Sequence, residues 1–277
     1  MIKIFISVRN RLAMTKKCIQ ALKKHSKLKH HIYVYNNASN HRLDEHFEYF
    51  GKLYAKGDIS QVTFTSEATT FNAFSKASTS NFFGLQHEQD PKKDGYLFLV
   101  LMDNDILVTP KWDLKLRAGW EYVLKKKMKN IKIIGQRPGG IKGMDKESHK
   151  IAGDMTARVG RLGGSGLWSI RPNFFSDVGL LNLRPLVGQH KKHDQQYWGL
   201  LSKKNGGKPY IMGIQSKLGY HCGAFAGSVC NRLTKNRTSP KIGEVIKFEQ
   251  AEEKIEKLNF DDFYKLISND KRFTRGW

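Results

Sequence analysis

The sequence predicts an α/β fold in which a mostly parallel central sheet carries flanking helices, followed by a helical C-terminal extension. Three observations lead there. Short apolar runs rich in β-branched residues alternate with segments of helical character, the pattern of a doubly wound sheet. One of those runs, Tyr96 to Met102 (YLFLVLM), is apolar throughout, as expected for a central strand covered on both faces. Near the C-terminus Val245, Phe248, Ile255 and Leu258 recur at helical spacing, which gives that segment an apolar face.

In chain order, Ile2 to Val8 reads as the first strand and runs into Arg9-Asn10-Arg11. Thr15 then suits the N-cap of a helix through Ile19 and Leu22 to about Ser26, because its hydroxyl can accept from an orphan helical amide. Ile32 to Tyr35 is a second strand ending in Asn36-Asn37-Ala38-Ser39, Val62 to Phe64 a short third, and Phe71 to Phe83 a polar-faced helix. After YLFLVLM, Thr109 caps and Pro110 opens a helix carrying Trp112, Leu116, Trp120 and Leu124 on one face, since proline suits a first turn whose amide has no intrahelical partner. The second half is less regular. Ile131 to Ile134 reads as strand, Gly135 to Gly143 as loop, and Met155 to Ile170 holds RLGGSGLWSI, a glycine-rich bend entering another strand. HKKHDQQYWGLLSKKNGG is a loop and short helix stopped by Gly206-Gly207, Tyr210 to Ile214 a last strand, and Lys217 to Gly223 a loop.

A chain of 277 residues can bury one large core, or one large domain with a small appendage. No run approaches the roughly 18 apolar residues of a membrane span. The opening MIKIFISVRN is too short an apolar run for a secretory signal and lacks a small-residue cleavage site. Cys18, Cys222 and Cys230 form an odd set without metal-like spacing, which suits a reducing cytosol and a cytoplasmic protein. The net charge is +23, and it is unevenly placed: from Leu233 onward stand 10 basic and 8 acidic residues, leaving 38 against 17 ahead of it. Such a field attracts polyanions, nucleic acid or an anionic membrane surface. The alternative is a basic surface kept for solubility.

Against this background LVLMDNDILV is unusual: a core strand runs directly into Asp103 and Asp105. Two carboxylates about 4 Å apart repel by around 4 kcal/mol at an effective dielectric near 20, so a pair pressed together needs a cation or a retained proton. On an extended stretch, residues i and i+2 face the same side. Hard divalent ions, Mg²⁺ or Mn²⁺, favour such oxygens and bridge them to phosphates. Ligands of open α/β sheets sit beyond the carboxyl ends of the strands, where these residues fall. The competing reading is an Asx-rich turn with no metal.

The strand ends IFISVRNR and VYNNAS, with LFLVLMDND around position 103, resemble the GT-A glycosyltransferases, particularly their large inverting family. The resemblance covers roughly residues 1 to 225. It implies a catalytic domain over residues 1–232, with a nucleotide-sugar half to about 110 and an acceptor half from 111, and a helical extension over 233–277. It implies that Asp103 and Asp105 hold a divalent metal, Mn²⁺ or Mg²⁺, against the diphosphate of a nucleotide sugar, most simply a UDP-sugar. Gly163-Gly164-Ser165-Gly166-Leu167-Trp168 is similar to the family's pocket-lining segment, Asp194 to the catalytic base of its Glu-Asp motif, and His221, in GYHCG, to the late histidine that completes the metal site. Donor contacts are implied for Val8, Arg9, Asn10, Arg11, Asn36, Asn72, Asp103, Asn104, Asp105, Gly164, Ser165 and Gly166. Two departures stand out: Asn36-Asn37 replaces an aspartate that binds the base in many relatives, and His193 replaces the glutamate beside Asp194.

Lys16-Lys17, Lys23-Lys24, Lys125-Lys126-Lys127-Lys129 and Lys191-Lys192 spread through the catalytic portion, with Trp168, Tyr197 and Trp198 among them. Jointly they suggest a polyanionic acceptor. DNA with hydroxymethylated pyrimidines, as glycosylated in bacteriophages, is the favoured expectation. A surface polysaccharide or a lipid-linked glycan on an anionic membrane is the rival. A non-catalytic nucleic-acid-binding protein on a degenerate transferase fold is a third reading. The oligomeric state is not readable from the sequence.

Overall fold

The structure, a computed structural model, describes residues 1–37, 39–65, 84, 95–136, 148–160, 166–180, 203–222 and 242–270, the first five residues of the last segment as backbone only. The chain begins β1 (Ile2–Val8), α1 (Leu12–His25), β2 (His30–Asn37), α2 (Leu43–Ala55) and β3 (Gln61–Thr65). It continues β4 (Leu99–Asp103), β5 (Ile106–Val108), α3 (Trp112–Lys125), β6 (Ile133–Gln136), β7 (His149–Ala152), β8 (Met155–Gly160), β9 (Leu167–Ile170) and α4 (Phe174–Val178). The last described elements are β10 (Ile211–Ile214), β11 (Gly219–His221), α5 (Ile242–Lys257) and α6 (Phe260–Asn269).

Nine described strands form one sheet in the order β3-β2-β1-β4-β9-β6-β10-β8-β7. Its first four strands are parallel. β9 enters antiparallel between β4 and β6, and β8 and β7 also run antiparallel to their neighbours. The expected α/β sheet is therefore present. β5 and β11 form a separate two-stranded ribbon.

The unbroken apolar strands are explained by two cores. On β1 and β4, Ile2, Ile4, Ile6, Val8, Val100 and Met102 enter one apolar cluster, while Phe5, Leu99 and Leu101 enter another. Alternate residues of a strand point to opposite faces, so a strand between two packed layers needs apolar residues at every position. The first cluster includes α1, α3 and, from the C-terminal extension, Ile255, Phe263 and Ile267, all fully buried.

Several local expectations shift. α1 starts at Leu12, ahead of the expected cap Thr15, whose hydroxyl instead donates to the Arg11 carbonyl at 2.8 Å, the back-bonding open to a helical threonine. Thr109 does not cap α3. Its hydroxyl donates to the Lys217 and Leu218 carbonyls at 2.9 and 3.2 Å, and the helix begins after Lys111 in a left-handed turn. Leu124 lies 62% exposed, past the buried face of Trp112, Leu116 and Trp120. The helical tail consists of two helices, broken where Asn259 accepts the Asp262 amide as an N-cap. Part of the expected 217–223 loop is β11. The helix expected over 71–83 lies outside the described residues.

Candidate active site

β4 ends at Asp103, and Asn104-Asp105 turn the chain into β5. The two acids are thus separated by a turn rather than spaced along an extended strand. Tertiary structure converges them on the histidine. β11 pairs antiparallel with β5, with His221 opposite Ile106, and the Cys222 amide donates to the Asp105 carbonyl at 2.8 Å. Ligand atoms of Asp103, Asp105 and His221 come within 4.8 Å of one another. His221 Nε2 stands 3.4 Å from Asp105 Oδ1.

The ribbon depends on residues that carry no chemistry. A β-carbon on Gly219 would lie 2.9 Å from Ile106 Cγ2 and 3.2 Å from the Leu107 carbonyl oxygen, so only glycine lets β11 approach β5 this closely. Gln136 Oε1 accepts the Leu218 and Gly219 amides at 3.1 and 2.8 Å, and Thr109 holds the same segment. Sequence reasoning passed over Gln136 and Gly219. Their only signal was a glycine two residues before His221 in GYHCG, too weak to read without the pairing.

The electrostatics favour a cation. Asp105 is 3% exposed, and its Oδ2 pairs with the Arg11 guanidinium, which offsets part of the repulsion expected between neighbouring carboxylates. Buried beneath the corner, the Cys18 and Cys222 thiols are pushed up in pKa first by burial and then by the charge of Asp105. They therefore face the site as thiols. Two carboxylates and an imidazole remain as donors, a set that suits Mn²⁺ or Mg²⁺ better than a thiolate-seeking ion.

Other expected donor contacts are placed as follows. Asn104 and Asn10 carry structural bonds: Asn104 Nδ2 donates to the Asn10 carbonyl at 3.1 Å and to Thr15 Oγ1 at 2.8 Å, while Asn10 Oδ1 accepts the Asn40 and His41 amides at 2.9 and 3.0 Å. Asn36 is fully buried; its Oδ1 accepts the Ser39 amide at 3.0 Å, and its Nδ2 lies 3.2 Å from His46 Nδ1. Burial drives the His46 pKa down to about 4, which keeps that ring a neutral acceptor. Val8 and Arg9 are buried at the end of β1. Gly166 sits beside the acids, its carbonyl accepting the Asp103 amide at 3.0 Å. Trp168 belongs to the second core cluster. Asn72, Gly163, Gly164, Ser165, His193 and Asp194 lie outside the described residues.

The lysine clusters divide. Lys16 pairs with Glu256 at 2.6 Å, Lys23 with Asp58 at 2.7 Å and Lys24 with Asp261, and Lys17 donates to the Leu258 carbonyl. Both pairs on α1 are thus engaged within the molecule, largely by the C-terminal extension. Lys125, Lys126, Lys127 and Lys129, at and beyond the end of α3, are exposed. Lys191, Lys192, Tyr197 and Trp198 lie outside the described residues.

The mixed, mostly parallel sheet with helices on its faces is the α/β fold of GT-A glycosyltransferases. Similar solved structures include residues 1–349 of S. aureus TarS, with a TM-score of 0.51 at 12% identity over 96% of this chain and 78% of that one. The same TarS fragment in complex with UDP gives a TM-score of 0.52 at 13% identity over 98% and 72%. GalNAc-T7 with UDP, GalNAc and Mn²⁺ gives 0.53 at 13% identity over 98% of this chain and 57% of that one. At such identities the likeness establishes the fold. No family model and no curated protein matches the chain.

Proposed function

We propose that this protein is a metal-dependent glycosyltransferase that moves a sugar from a nucleotide-sugar donor, most simply a UDP-sugar, to a hydroxyl acceptor. One observation carries the reading: Asp103, Asp105 and His221 converge at the carboxyl end of a central strand in a GT-A fold. The presence of UDP in the TarS and GalNAc-T7 structures, and of Mn²⁺ in the latter, supports the donor and metal assignments.

Asp103, Asp105 and His221 would hold the divalent ion, which supplies Lewis-acid stabilisation of the charge that grows on the leaving diphosphate. Arg11, paired with Asp105, adds fixed positive charge at the same corner, where a preorganised group acts without reorganisation. Asp103 is tied through its amide to the Gly166 carbonyl, which sets that glycine at the corner. Asp194 is the proposed general base for the acceptor hydroxyl, and direct displacement makes the reaction inverting; both rest on the sequence resemblance.

The favoured acceptor is a hydroxymethylated pyrimidine in DNA. The net charge of +23 and the exposed lysines following α3 support it, while the lysines of α1, engaged by the extension, do not. The test incubates the protein with Mn²⁺, radiolabelled UDP-sugars and duplexes containing 5-hydroxymethylcytosine, 5-hydroxymethyluracil or neither. Label transferred only to the hydroxymethylated duplexes, with log K falling about 0.9 per neutralised phosphate as log salt rises, is the expected result. Donor hydrolysis with transfer only to glycan acceptors would replace DNA with a polysaccharide or lipid-linked acceptor. No turnover of any donor, with DNA binding unaffected by Asp105→Asn, would overturn the enzyme reading in favour of a non-catalytic nucleic-acid-binding protein.

A further inference from the structure

α1 enters the acid corner through an unusual turn. Asn10 and Arg11 both have left-handed backbone, at φ 52 and 56, a conformation that residues with a β-carbon keep only where the surroundings hold it. The helix that follows has no capping side chain at its N-cap and no acidic residue in its first turn, although its first amides have no intrahelical partner. The acceptor comes from 239 residues further along the chain: Glu252 Oε2, on α5, accepts the Ala13 amide at 2.9 Å.

This cap differs from a surface one. Glu252 is 1% exposed, and removing a carboxylate from water is unfavourable unless its partners compensate. Burial raises its pKa to about 7, with the Ala13 amide and then Arg42 and Arg11 acting in the opposite direction. The far side of the same turn is fixed by the acid corner. The Arg11 guanidinium pairs with Asp105, the Arg11 carbonyl accepts both the amide and the hydroxyl of Thr15 at 2.8 Å, and Asn104 holds the Asn10 carbonyl and Thr15. One turn of backbone is gripped by α5 on one side and by the Asp103–Asp105 turn on the other.

We propose that Glu252 is a positioning residue for the acid corner: by capping α1 from the C-terminal extension it fixes Arg11, and through Arg11 the carboxylate of Asp105. The extension then completes the site without supplying a group that touches the donor. The functional consequence rests on the reading of the corner as a metal and donor site; the positioning itself is a property of the folded chain.

The test uses the full chain labelled with ¹⁵N-arginine, the Arg11 guanidinium resonance being assigned by its loss in Arg11→Lys. Glu252→Ala removes the acceptor, Glu252→Asp withdraws it by one methylene, and Glu252→Gln keeps an acceptor oxygen at the original reach. The expected result is a shifted, faster-exchanging Arg11 resonance in the alanine variant, a partial shift in the aspartate variant and a nearly unchanged signal in the glutamine variant. Mn²⁺ affinity, read by electron paramagnetic resonance, should weaken about 10-fold in Glu252→Ala, the lower end of what losing an outer-sphere partner costs. A merely space-filling Glu252 predicts lower thermal stability with the Arg11 resonance in place. That outcome in the alanine variant, or in the aspartate variant if alanine prevents folding, overturns the proposal. Wild-type protein that takes up no Mn²⁺ while the Glu252 variants still move Arg11 would overturn the metal-site reading and leave the positioning standing.

Discussion

The acid corner and the seam between α1 and the C-terminal helices both set carboxylates against cations, yet the balance differs. Along the seam the partly exposed acids meet bases directly: Glu256 with Lys16 and Arg42, Asp261 with Lys24. At the corner, two acids and a histidine converge, and the Arg11 guanidinium pairs with Asp105. The seam is partly solvated, so its pairs contribute modestly. The corner encloses Asp105 almost completely, where charge is expensive to leave unmatched. The solvated pairs of the seam read as packing, and the enclosed, carboxylate-rich corner supports the proposed metal site.

The largest expected effect breaks the corner itself. Asp105→Asn should abolish measurable transfer and weaken Mn²⁺ binding by more than the roughly 10–100-fold that outer partners command, as read by single-turnover assay and metal titration. Next is the ribbon that delivers His221. Gly219→Ala places a methyl 2.9 Å from Ile106 Cγ2 and should destabilise the fold by about 1–3 kcal/mol, the usual penalty of overpacking, measured by urea unfolding. Its Mn²⁺ affinity should fall in parallel, whereas an equally destabilising change elsewhere in the core should leave the metal untouched.

A third effect contrasts the buried carboxylate of the seam with its exposed neighbours. Glu252 titrates near 7 in the fold against about 4.5 when unfolded, so between those values the folded state holds a proton that the unfolded state has lost. The stability this group contributes is fully present below about pH 4.5 and is lost as pH rises through 7, about 3 kcal/mol in all. Urea unfolding at pH 5 and pH 8 should show that decline in the wild type and its removal in Glu252→Gln. The smallest effect belongs to the exposed seam. Lys24→Ala should change stability by less than about 1 kcal/mol, and the difference should fade in high salt. A Lys24 effect as large as that of Glu252 would erase the distinction between the two kinds of pair.

Much of the first half was legible because its signals are local. β1, β3 and the parallel first strands follow from β-branched apolar runs, and β4 from a run apolar at every position. α2 gave less signal, since only His46 and Phe50 of it are buried. The expected caps, Thr15 and Thr109, were misplaced for one reason: a hydroxyl takes the best acceptor available, and here that was a back-bonded carbonyl or a loop far along the chain. The lysine pairs of α1 looked like a polyanion surface because nothing local shows that Lys16 and Lys24 meet acids more than 230 residues away.

By itself, then, the sequence determined the α/β class, the central apolar strand and the two acids at its end, since strand periodicity and residue chemistry act over a few neighbouring positions. Only the tertiary structure decided that His221 reaches those acids, through the register of β11 on β5, and that Arg11 and Glu252 stand behind them. These are contacts between residues about 90 to 240 positions apart. They are fixed by how two cores pack, and no local pattern encodes which distant partner that packing will bring into reach.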